Sequence, residues 1–148
     1  MSQMANLDIT SANAEAILMV ESIFPSGIQL QMFGTDQAIS MDSVDITETR
    51  KGVDGKLVAG YVPAIYPVTI TLEAASPSLA NLATVWEAMA ANKRIYACTL
   101  VCTLPSIKAV YTWSTGVMKS GAPFPSMEKV LAATTWTFEF QDFERAGI

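Results

Sequence analysis

The side chains that could do chemistry in this 148-residue chain are two cysteines and fourteen carboxylates, because histidine is absent. Without histidine, Ser-His-Asp and Cys-His arrangements cannot be built, and the commonest general base is missing. Histidine-containing zinc sites are excluded on the same ground. Cys98 and Cys102 fall on one face of a predicted strand, about 13 Å apart at ~3.3 Å per residue. Disulfide-bonded α-carbons lie under about 7 Å apart, so this pair forms no bridge, and two thiolates so spaced cannot share one metal. Both read as small buried hydrophobes. Among the carboxylates, Asp42, Asp45 and Glu48 come closest to a constellation. Spaced along a strand, Asp42 and Glu48 share a face while Asp45 points the other way. They read as a solvated or pore-facing acidic edge, and neither a metal site nor a glycosidase pair is expected of them.

Two other motifs are tested and set aside. Gly52-Val53-Asp54-Gly55-Lys56 is not a phosphate loop, since the G-x4-G-K-[ST] spacing fails and Leu57 follows the lysine. Tyr61, Tyr66, Trp113, Trp136, Phe138 and Phe140 are strand aromatics, for which core or interface packing is the plain reading. Base stacking would need a basic groove to follow a backbone, and no basic run exceeds two residues. The residues point away from an enzyme and call for no cofactor.

Composition narrows the class further. Apolar residues make up 51% and charged residues 16%, against roughly 25% charged in an ordinary soluble domain. Such a chain is too apolar for disorder, and no stretch approaches about 18 uninterrupted apolar residues, as a membrane-spanning helix needs. The length suits one compact domain, expected over residues 1–148. The first residues lack a basic region and a long apolar core, so synthesis in a reducing cytosol with free thiols is expected. Charge is uneven: residues 1–74 hold nine acids against three bases, giving −6, and residues 75–148 hold five acids against six bases, giving +1. An acidic half and a near-neutral half suit subunits that pack head to tail.

The elements that must position these residues are mostly strands. Period-two alternation marks Ala14 to Val20, and then Ile28, Leu30 and Met32 after an expected turn at Pro25-Ser26-Gly27. It continues at Val44 and Ile46, Leu57 to Val62, Tyr66 to Ala74, Tyr96 to Leu104, Val110 to Met118, and Trp136 to Phe140. One segment differs: Leu79, Leu82, Ala83, Trp86, Met89 and Ala90 follow helical spacing over 78–92, and Ser76 with Pro77 supplies a helix start. Lys93 and Arg94 stand where the helix dipole favours cations. The expected fold is mainly β: a small antiparallel barrel or sandwich, one flanking helix over about 78–92, and a projecting hairpin over about 46–62. Asp54-Gly55 favours the tight turn at its tip.

The order of these segments resembles the tail tube proteins of contractile-tailed bacteriophages across nearly the whole chain. The resemblance is carried by Ile9 to Ala14, Phe24-Pro25, Ile28 to Phe33 and Gly52-Val53-Asp54-Gly55-Lys56-Leu57, then Ala59 to Pro63, Val68 to Leu72, Ala75 to Ser78, Leu104 to Ile107 and Trp136 to Phe140. It implies six-membered rings that stack into a hollow tube inside a contractile sheath, a fold shared with the inner tube of type VI secretion systems. It also implies contact with sheath, baseplate and tail terminator proteins, a place in the virion after synthesis in the host cytoplasm, and passage of double-stranded DNA through an acidic lumen. On this view Arg50, Lys51, Gly52, Val53, Asp54, Gly55 and Lys56 form an inter-subunit or inter-ring arm. Asp42, Asp45 and Glu48, within the acidic 36–48 segment, face the lumen or a ring face. A secretion-type tube, a terminator ring and a monomeric β-barrel binding module are the alternatives.

Overall fold

The computed structural model describes residues 14–30 and 39–147. Among these residues nine strands and one α-helix follow in the order β1 (Glu15–Val20), β2 (Phe24–Gln29), β3 (Ile39–Met41), β4 (Thr47–Lys51), β5 (Leu57–Tyr61), β6 (Tyr66–Leu72), α1 (Pro77–Asn92), β7 (Cys98–Leu104), β8 (Ala109–Ser120) and β9 (Thr134–Gly147). Seven strands make one antiparallel sheet in the order β2-β1-β7-β8-β9-β6-β3, while β4 and β5 pair apart from it. The expected class is met: antiparallel strands, one helix and a separate hairpin. The seven-stranded sheet is open, with β2 and β3 at its edges among the described strands.

Register explains why one face of this sheet is a core. Ala16 pairs with Cys102, Leu18 with Leu100 and Val20 with Cys98. Across the sheet Val68 pairs with Phe138 and Ile70 with Trp136, and directly paired residues project to the same side. The alternating apolar set therefore falls in continuous rows, and Leu18, Leu100, Val68, Ile70, Trp136 and Phe138 are completely buried. Two glycines let the aromatic side chains lie flat against backbone. A β-carbon on Gly116 would stand 2.1 Å from a Phe140 ring carbon, and one on Gly121 2.2 Å from the Trp136 ring. Trp136 Nε1 donates to Thr134 Oγ1 at 3.0 Å, so the buried indole N–H is satisfied.

Helix α1 closes over this face. Ser76 caps it by accepting from Ser78 N at 3.1 Å, Pro77 occupies the first turn, and Lys93 ends it in the left-handed region at φ 51°. Its buried residues are Ser78, Leu82 and Val85, with Leu79, Ala83, Ala88 and Met89 packed partly against the core. The expected apolar stripe is therefore rotated. Trp86, assigned to the core side, is 39% exposed, and Val85 takes the inward position. Ser78 Oγ donates to Gln29 O at 3.3 Å, fastening the helix to the end of β2.

Three further expectations change in the structure. Pro25-Ser26-Gly27 lies inside β2 as an irregularity opposite Met19, because Leu18 pairs with Ile28 but Val20 with Phe24. The chain reverses earlier, around Ser22 at φ 67°. The Val44–Ile46 alternation is not a strand; residues 42–46 form no ladder, and β4 begins at Thr47. Strand β9 runs on to Gly147, well past Phe140, pairing with β8 along the whole extension. Met32, Asp36 and most of the Ile9 to Ala14 motif lie outside the described residues.

Candidate assembly interface

The described residues hold no group of three or more Cys, Asp or Glu that could bind a metal ion. The thiols are embedded in the core rows: Cys98 is 1% exposed, and burial pushes it up to about 12, with the Glu21 charge adding and the Met118 backbone opposing. Burial likewise raises Cys102. A thiol held protonated at neutral pH is a poor nucleophile, so both act as packing residues. The carboxylates Asp42, Asp45 and Glu48 are all exposed. Asp42 and Asp45 stand in the 42–46 connection and Glu48 on β4, so they do not share one strand as their spacing suggested. No helix among the described residues is long and apolar enough to cross a membrane.

The arrangement that stands out is physical rather than catalytic. Strands β4 and β5 pair from Thr47↔Tyr61 to Lys51↔Leu57, and all ten of their residues are exposed. The tip is a tight turn: Gly55 N donates to Gly52 O at 2.9 Å and Gly52 N to Lys56 O at 2.8 Å. Gly55 sits at φ +85°, where a β-carbon is strained. Asp54 Oδ1 accepts from Lys56 N at 3.1 Å, an Asx-type contact that explains the Asp-Gly pair. Thus Arg50 to Lys56 do lie together at the tip of a projecting ribbon.

The two faces of this ribbon differ. Thr47, Thr49, Lys51, Leu57, Ala59 and Tyr61 share one side, by their direct pairing. Glu48, Arg50, Val58 and Gly60 share the other. On the first side Leu57 is 73% and Tyr61 76% exposed. A lone two-stranded ribbon is at best marginal in water, and this one shows its apolar side chains to solvent.

A second apolar surface, absent from the sequence reading, lies in the connection between β8 and β9. Phe124, Met127, Val130 and Leu131 are exposed there, in a stretch held by Ala132 N donating to Ser126 O at 3.2 Å. The signal available beforehand was Ala122-Pro123-Phe124-Pro125. Prolines bar a central strand, yet the apolar residues persist. The core itself is elsewhere and complete, with no buried side-chain polar atom left unpartnered among the described residues.

The fold, an open antiparallel sheet with a capping helix, is shared with chains of solved contractile injection systems. A chain of the extracellular contractile injection system PVC sheath–tube complex in its extended state superposes with a TM-score of 0.64 at 11% identity, over 100% of this chain and 99% of that one. A chain of the PVC sheath/tube terminator matches with a TM-score of 0.59 at 12% identity, over 89% and 93%. One from the anti-feeding prophage baseplate matches at 0.57 and 14% identity, over 90% and 92%. At these identities the likeness is one of fold. No curated protein matches the sequence. The chain belongs to the family described as Tail fiber protein gp32, whose model matches residues 7–144.

Proposed function

We propose that this chain is a structural subunit of a phage tail tube, with copies closing into rings of six and rings stacking into a hollow conduit for genome delivery. The single observation that carries this is the presence of two exposed apolar segments far apart in sequence, the β4–β5 arm and the 124–131 connection, outside an already complete core. A pair related by two-fold symmetry uses one self-complementary patch, whereas a ring or stack uses two different patches per copy. Soluble monomers seldom show contiguous apolar surface that serves no contact. The arm, Arg50 to Lys56, reaches a neighbouring subunit, and Asp42, Asp45 and Glu48 face the lumen or a ring face. An acidic inner wall would repel the phosphates of passing double-stranded DNA and keep it from adhering. Sheath, baseplate and terminator proteins are the partners, and the tube belongs to the virion, outside the cell that made it. The role is structural, not enzymatic.

The family description favours a second reading, a component of the tail fibre. Negative-stain microscopy of the purified protein separates the two. Stacked rings with a central hole support the tube; slender solid rods, or particles of 15.9 kDa at every concentration, reject it.

A further inference from the structure

The arm is joined to the sheet by two short connections, residues 42–46 from Met41 at the end of β3 and residues 62–65 to Tyr66 at the start of β6. Both joints rest on one cluster of rings. Trp113 Nε1 donates to Met41 Sδ at 3.2 Å, and Tyr66 lies against Phe143 with ring centroids 5.9 Å apart. Phe143 packs in turn on Trp113 at 5.1 Å and on Tyr111 at 5.9 Å, the second pair nearly parallel at 8°. Trp113 is only 6% exposed, so its indole N–H calls for an acceptor inside the protein. A thioether sulfur supplies a weak one.

A flat sheet would not allow this meeting. Strands β9 and β6 stand between β8 and β3, and three strand spacings amount to about 14 Å. A bend in the β8–β9 ribbon closes the gap. Cys98 pairs with Gly116 but Leu100 with Trp113, so Thr99 faces both Ser114 and Thr115 across a bulge. Thr115 takes φ 55° there, a left-handed conformation that strains a β-branched residue. The partner strand follows, because Phe140 pairs with Gly116 and Phe143 with Trp113. Trp113, Gly116 and Phe140 are buried and Phe143 packs against the core. Inward positions thus step by three residues on both strands instead of two. The extra residue lengthens the outer path, and the ribbon curls over the core face toward β3. Backbone strain of this kind persists only where surrounding contacts hold it.

We propose that the Tyr66, Tyr111, Trp113 and Phe143 cluster is the mount of the arm, and that Trp113 and Met41 are positioning residues that fix the direction in which the arm projects. Two peptide connections alone would act as a hinge. Seating both joints on rings that stack on one another stiffens it. A ribbon already set at one angle loses less conformational freedom when it meets a partner. That consequence for assembly rests on the tube reading above; the mount itself belongs to the single subunit.

The test measures the arm's direction in free subunits. Spin labels are placed through Thr49→Cys in β4 and Glu87→Cys in α1, both exposed positions, while Cys98 and Cys102 are buried and stay unlabelled. Met41→Leu keeps the bulk of the side chain and removes the acceptor; Met41→Gln returns an acceptor at similar reach. Double electron–electron resonance is expected to give one narrow distance distribution for the native pair. The distribution should broaden about twofold with Met41→Leu and narrow again with Met41→Gln. Trp113→Phe, which lacks the donor, should be broad whether methionine or leucine stands at 41. Should Trp113→Phe fail to fold by circular dichroism, the substitutions at the half-exposed Met41 decide alone. Equal widths for Met41→Leu and the native protein, or a Met41→Gln variant as broad as Met41→Leu, would overturn the mount. In unlabelled protein, Met41→Leu tubes should be several-fold shorter by negative stain and Met41→Gln tubes of native length. Full-length Met41→Leu tubes beside a broadened distribution would overturn the link to assembly. A wild type that forms no tubes would remove the tube reading and leave the distances to decide the mount.

Discussion

Two β-structures in this molecule are made of similar residues yet live in opposite surroundings. In the seven-stranded sheet each apolar row meets another row across a neighbouring strand and then helix α1, so Trp136, Phe138 and Leu100 lose essentially all contact with water. In the β4–β5 ribbon the ladder is just as regular, but among the described residues no third strand or helix covers it, and Leu57 and Tyr61 are exposed. Hydrogen bonding makes a ribbon; burial against a further layer makes it stable. The sheet satisfies that condition within one chain; in the proposed tube the ribbon would satisfy it against a neighbouring copy.

Substitutions should divide along the same line. The largest effect on monomer stability is expected from Trp136→Ala, which removes a completely buried ring. About 3–5 kcal/mol should be lost, read as the shift in a denaturant unfolding curve. A pH-dependent effect is expected at Cys98. Its folded thiol holds the proton up to about 12 against an ordinary value of 9.0, so above pH 9 the unfolded chain binds fewer protons than the folded one. Stability should then fall with rising pH through the 9-to-12 window, at up to ~1.4 kcal/mol per pH unit for this group. Cys98→Val should show a correspondingly shallower decline when the two are unfolded side by side. Ser76→Ala, which removes the acceptor at the start of α1, should cost about 1 kcal/mol by the same measurement.

The smallest stability effect is expected where the assembly effect is greatest. Removing residues 51–55 shortens an exposed ribbon and touches none of the core, so unfolding should move by less than about 0.5 kcal/mol. Tubes should nevertheless disappear from micrographs. A variant that unfolds several kcal/mol more easily would mean that the arm supports its own sheet, and normal tubes would mean that it supports no neighbour.

How far the sequence could be read follows from the same contrast. Strand β6 was plain because Val68, Ile70 and Leu72 alternate with threonines and one face is buried. The helix start was plain because Ser76-Pro77 acts through local backbone chemistry. Trp86 misled because helical spacing defines a broad stripe, and only the docked partner decides which edge of it turns inward; the helix sits so that Val85 fills that place. Pro25-Ser26-Gly27 has the composition of a turn, yet pairing of β1 with β7 holds the edge strand β2 in line and absorbs it as an irregularity. The extension of β9 was hidden because Gln141 to Arg145 carry few apolar residues, and its signal is the long partner strand β8. The arm was legible as a hairpin from Asp54-Gly55. That its strands lack a covering layer among the described residues was not, since exposure depends on how the other elements pack.

Hydrogen exchange, followed by mass spectrometry on dissociated subunits and on the assembled polymer, tests the division between sheet and arm most directly. Amides of the β1, β6, β7 and β9 ladders should be protected in both states. Those of residues 47–61 should exchange quickly in the free subunit and slow by at least tenfold on assembly, because a solvent-exposed ribbon opens easily and a docked one does not. Unchanged exchange across 47–61 in fully assembled material would contradict an arm built for a neighbouring copy.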